Sequence, residues 1–76
     1  GTIQNRVNES RAQLNKQIRN IAMVRAHVET EEQIATTRLR KTPTKALALR
    51  ILALRRHQQR LDKAIERLQD TSLKLA

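Results

Sequence analysis

Residues 41–56 read KTPTKALALRILALRR, and the reading of this stretch decides the fold. Ala46, Leu47, Ala48, Leu49, Ile51, Leu52, Ala53 and Leu54 are interrupted only by Arg50 before Arg55 and Arg56 follow. That is too much apolar surface for one face of a helix, so the run is a membrane insert, a core, or a surface that meets another protein. Just ahead of it, Lys41 to Lys45 hold the only strong punctuation in the chain. Pro43 disfavours helical geometry at Thr42. Thr42 or Thr44 caps a following helix, with Pro43 tolerated in its opening turn.

Beyond this tip the apolar pattern is regular. Leu47, Ile51, Leu54, Gln58, Leu61, Ile65, Leu68, Ser72 and Leu75 alternate steps of four and three, a heptad seam with two polar members. Before the tip, Val7, Leu14, Ile21, Val28 and Ala35 recur every seven residues. Ile3, Ile18, Val24 and Leu39 support that row, while Ser10, Gln17 and Glu31 depart from a strict coiled coil. The reading is all-α: a long antiparallel two-helix hairpin, coiled-coil-like, occupying residues 1–76 as one unit. The helices are expected at about 3–41 and 45–74, with the tip at 42–44. Each arm would be on the order of 45–60 Å long. The seam accounts for Leu47, Ile51 and Leu54. Leu49 and Leu52 project from the outer side of the second helix and call for a further contact, assigned here to self-assembly with other copies side by side.

Composition narrows the function. The 76 residues include no Phe, Tyr, Trp or Cys, one Gly and one Pro. Without aromatics the core of so short a chain is thin and leans on neighbours. Zero cysteines exclude a disulfide scaffold and thiolate metal sites, and fit an intracellular setting. No apolar run approaches the roughly 20 residues needed to span a bilayer. No secretory signal opens the sequence.

The net charge of +9 implies an anionic partner: nucleic acid, an acidic membrane surface or an acidic protein segment. From Gln33 to Leu61 there is no acidic residue, yet eight of the 16 basic ones fall there. The hairpin folds this segment back on itself and concentrates positive charge at the tip. Candidate anion-binding residues are Arg40, Lys41, Lys45, Arg50, Arg55, Arg56 and Arg60.

Catalytic chemistry is not visible. His27 and His57 have neither a Cys companion nor a partner at metal-binding spacing. Glu29, Glu31 and Glu32 read as solvated, or as a place for a neighbour's arginine, since an open helix has no cleft to perturb them. Ser10 and Ser72 lack any nucleophile context. The expectation is a non-enzymatic chain with no metal, no cofactor and no small-molecule substrate.

The tip and second arm resemble the helical hairpin of ESCRT-III, the charged multivesicular body protein family. KTPTKALALRILALRR supplies a short turn, an interval and then Ala53-Leu54-Arg55-Arg56, similar to that family's Ala-Leu pair running into basic residues. The polar continuation RHQQRLDKAIERLQD is similar in character. The resemblance implies a subunit that polymerises with related copies into filaments on anionic membranes and remodels or severs them. It also implies a cytoplasmic protein, peripheral on the cytosolic face of membranes, in endosomal multivesicular-body transport. Carried over residue by residue, the family's lipid contacts fall on Lys41, Lys45, Arg55 and Arg56; Arg40, Arg50 and Arg60 join them from charge clustering alone. The alternatives are a basic hairpin on nucleic-acid backbone and a coiled-coil adaptor forming a closed bundle.

Overall fold

Pro43 sits at the reversal of the chain. The computed structural model describes residues Gly1 to Leu75, which form two helices, α1 (Thr2–Lys41) and α2 (Lys45–Lys74), with no strand among the described residues. The architecture is an all-α antiparallel hairpin, a rod 61 Å long and 15 by 12 Å in section. At 1.5 Å per residue the 40 residues of α1 span about 60 Å, so this helix alone sets the length of the rod.

The turn is built from local chemistry. Thr42 leaves the helical region (φ −138°, ψ 83°), as a residue before proline must, and its N–H donates to the Arg38 carbonyl at 2.8 Å. Thr44 is extended (φ −136°, ψ 151°), and its hydroxyl oxygen accepts from the Leu47 N–H at 3.1 Å. Thr44 is therefore the N-cap of α2. Pro43 precedes the cap, whereas the sequence reading placed it within the opening turn. The extended Thr44 must come between them, because the cap residue itself is not helical.

In α2 every member of the heptad seam from Leu47 to Leu75 is buried or half-buried, and Ile51 is 5% exposed. In α1 the row Leu14, Ile21, Val28 and Ala35 faces the partner, with Val28 and Ala35 buried, and the half-buried Val7 continues the row beyond the end of α2. The companion row matches expectation at Ile18 and Leu39 and differs between them. It lies four residues further on, at Ile18, Arg25, Glu32 and Leu39, all half-buried. Ser10 and Gln17, three residues on, are exposed, as are the supporting positions Ile3 and Val24. A step of four turns the helix by about +40° and a step of three by about −60°, so the choice rotates α1 about its axis. The rotation adopted brings Arg25 and Glu32 to the edge of the seam, where α2 offers their counter-charges.

Those charges also show the register. Arg25 pairs with Asp62, and Glu32 with Arg55: seven residues on along α1, seven back along α2. Extending that register sets Lys74 opposite Gln13. Thr2 to Ala12 thus run on past the end of α2 as a single helix, for on the order of 16 Å.

Burial makes a testable contrast. Ile51→Ala, at the centre of the seam, is expected to cost about 2 kcal/mol, the low end for an aliphatic core truncation because the seam is thin. Thr44→Ala, which removes the cap, should cost about 1 kcal/mol. Ile3→Ala, at a side chain 80% exposed on the overhang, should be silent. Thermal denaturation followed by circular dichroism ranks the three.

Candidate anion-binding and assembly surface

The tip gathers charge from both helix ends. Arg38, Arg40 and Lys41 lie in the last turn of α1, where cations suit the negative end of the helix dipole. Lys45 opens α2, whose first turn contains no acidic residue to offset it. Cation and positive helix end therefore coincide there and strengthen the field toward an anion.

All seven candidate anion-binding residues are exposed, but they do not stand in equal positions. Arg50 Nη2 donates to Glu31 Oε2 at 3.3 Å, and Arg55 Nε to Glu32 Oε1 at 2.7 Å. These two arginines are drawn across the hairpin to carboxylates of α1. Arg40, Lys41, Lys45, Arg56 and Arg60 make no ion pair among the described residues. They are the unneutralised part of the cluster.

The pairing also settles the acidic run of α1. Glu29 accepts from Arg25 at 3.2 Å, and Glu31 and Glu32 serve Arg50 and Arg55. The arginines that meet it here belong to this chain. Hairpin register explains this, since it brings residues nineteen and twenty-three positions away alongside.

Two polar knots result. In one, the Arg25 guanidinium grips Asp62 with Nε and with Nη2, the latter 3.5 Å from Oδ2, and reaches Glu29 with Nη1. Hydrogen bonding and charge from Asp62 raise the Arg25 pKa above its usual range, so it stays charged at any working pH. In the other, Glu32 accepts from Arg55 and from Gln58 Nε2, each at 2.7 Å. The hydrogen bond from Arg55, then that from Gln58, hold the Glu32 carboxyl below its ordinary range. Periodicity marked Gln58 only as a polar interruption of the seam. A glutamate one register step away was the signal for its role.

Leu49 and Leu52 are 56% and 48% exposed. With Lys45 and Arg56 they form one row along α2, in steps of four, three and four, and Leu52 also borders a groove shared with Thr36 and Leu39 of α1. Ile34 on α1, 43% exposed, was missed by the sequence reading because no seam or charge pattern singles it out. It lines a shallow, mostly apolar depression with Thr30, Gln33, Thr37 and Arg38. The Thr30 and Thr37 hydroxyls donate to the Ala26 and Gln33 carbonyls at 3.1 and 3.0 Å, which leaves their methyl groups to the depression. Among the described residues no three His, Cys, Asp or Glu side chains come together as a metal-binding group. No helix of the described residues is long and apolar enough to cross a membrane.

The Glu32 knot carries a pH signature. Its folded pKa lies below the unfolded value of about 4.3, so its stabilisation is complete above that value and is lost as pH falls through the folded one. Acid titration of the melting temperature should fall less steeply below about pH 4.3 in Glu32→Gln than in the parent chain. Equal slopes would show the knot to be absent in solution. Comparisons with protein-family models, curated proteins and solved structures find no match for this chain, so its function has to be argued from its own residues and geometry.

Proposed function

We propose that this chain is a non-enzymatic, ESCRT-III-like subunit that assembles with copies of itself or related hairpins into filaments on anionic membranes and helps remodel them. One observation carries the proposal. Arg40, Lys41, Lys45, Arg56 and Arg60 remain exposed and without an ion pair on the tip-side half of the rod, although carboxylates of the same hairpin capture Arg50 and Arg55. Unpaired surface cations are available to an external anion without first breaking a bond.

The leucines favour a membrane and an assembly over a free polyanion. Leu49 and Leu52 share their row with Lys45 and Arg56 and have no task in holding phosphates. Each cation near an acidic leaflet contributes about 1 kcal/mol, and a filament repeats that contribution with every subunit. The side chains themselves supply attraction and packing, and no bond-making step is involved.

A second reading has one observation in its favour. Arg56, Arg60, Lys63 and Arg67 continue along the outer side of α2, a cationic row able to follow a phosphate backbone. Binding would be led by the backbone, since the chain has no aromatic side chain on which bases could stack.

Sedimentation with vesicles separates the two. The chain should pellet with phosphatidylserine-containing vesicles and not with neutral phosphatidylcholine ones. Replacing Arg40, Lys45 and Arg56 together by alanine should weaken that binding on the order of 100-fold, from about 1 kcal/mol per cation. Equal pelleting with both vesicle types, or with neither, sinks the membrane reading. Binding to duplex nucleic acid that persists near physiological salt, without vesicle binding, supports the second.

A further inference from the structure

Thr42 stands apart from every other hydroxyl residue of the chain. Pro43 is the single proline, so Thr42-Pro43 is the one place where a hydroxyl residue precedes proline. Seven of the nine Ser and Thr residues lie within the two helices. Among them, the hydroxyls of Thr30, Thr37 and Thr71 donate to carbonyls four residues back. Thr44 is extended, but its hydroxyl is engaged in capping α2. Among the described residues, Thr42 alone combines exposure, a non-helical backbone and a hydroxyl without a hydrogen bond.

This placement suits a phosphoryl acceptor. Transfer of a γ-phosphoryl group needs the hydroxyl in line with it inside a closed cleft. A helical residue reaches such a cleft only after its turn unwinds, whereas Thr42 already lies outside both helices. Straightening it further releases one bond, from its N–H to the Arg38 carbonyl.

The residues that follow supply recognition. Pro43 has no N–H, so it suits an apolar pocket that offers no acceptor; any other residue would bury an unpaired donor there. Lys45 is exposed and, in an extended segment, points to the same side as Pro43. Its N–H opens α2 and has no partner within the helix, so it straightens without losing a helical bond there. A lysine at this point works against the positive end of the α2 dipole, so helix stability does not account for it.

A phosphate would change the tip. Arg38, Arg40, Lys41 and Lys45 lie within four positions of Thr42, and none makes an ion pair among the described residues. Phosphothreonine carries a charge of about −2 and three strong acceptor oxygens. It would draw cations inward as Glu31 and Glu32 already draw Arg50 and Arg55.

We infer that Thr42 is a phosphorylation site for a proline-directed protein kinase that requires a cation three residues on, and that its phosphate discharges the tip. In the reaction, Thr42 Oγ1 attacks the γ-phosphorus of ATP. The Oγ1–P bond forms as the bond from that phosphorus to the β,γ-bridging oxygen breaks. ADP leaves with the electron pair, and the hydroxyl proton passes to the kinase's catalytic aspartate. The discharge rests on the membrane reading above; the site does not.

The full chain is incubated with MgATP and a purified kinase of the cyclin-dependent class, and the product is mapped by tandem mass spectrometry. One phosphate per chain, on Thr42, is expected. Thr42→Ala should abolish incorporation, and Thr44→Ala should keep it. Pro43→Ala and Lys45→Ala should each slow it by at least about tenfold. No incorporation, phosphate on another residue, or a rate indifferent to Pro43 and Lys45 overturns the site. The phosphorylated chain should keep its circular dichroism and bind phosphatidylserine vesicles roughly 30-fold more weakly, the worth of two cations. Unchanged affinity, or a loss of helix, overturns the discharge. If the unmodified chain does not pellet, the membrane reading and the discharge fall together, and incorporation alone decides the site.

Discussion

A hairpin of two helices has one seam, and the rest of this structure follows from how little that seam encloses. Val28, Ala35 and Ile51 are the buried apolar residues, and every other seam member is half-exposed. With no third layer and no aromatic ring to widen the contact, apolar packing alone specifies register weakly. A slip of one heptad would exchange one set of aliphatics for another of similar size.

Charge supplies the missing specification. Arg25 and Glu32 occupy seam-edge positions in α1 and meet Asp62, and Arg55 with Gln58, at corresponding heights of α2. Individually such half-exposed pairs add little stability. Their signs are opposite, however: basic against acidic at one level, acidic against basic at the next. Sliding α2 by one heptad would set like charges against each other. The polar members of the seam thus act as its address, a role well attested for polar seam positions in coiled coils.

The same arrangement shapes the surface. By drawing Arg50 and Arg55 to Glu31 and Glu32, the hairpin neutralises the flanks of the tip and leaves Arg40, Lys41, Lys45, Arg56 and Arg60 as its free cations. A rod with cations at one end and an apolar feature on each edge has its unmet interactions directed outward. In the proposed reading, charge and apolar contact would draw partners to the same end of the molecule.

Much of this was legible in the sequence. Composition and the 4-3 spacing from Leu47 to Leu75 determined two helices, Pro43 determined the break between them, and the acid-free run from Gln33 to Leu61 determined where cations collect. These are local or periodic properties, which one chain read in order displays fully. What the tertiary structure decided is pairwise. It set the rotation of α1 that exposes Val24 and half-buries Arg25, and the carboxylates that claim Arg50 and Arg55. Each depends on which residue of one helix faces which residue of the other. Neither helix's periodicity contains that fact, because a repeating pattern fits its partner equally well at several offsets until specific charges meet.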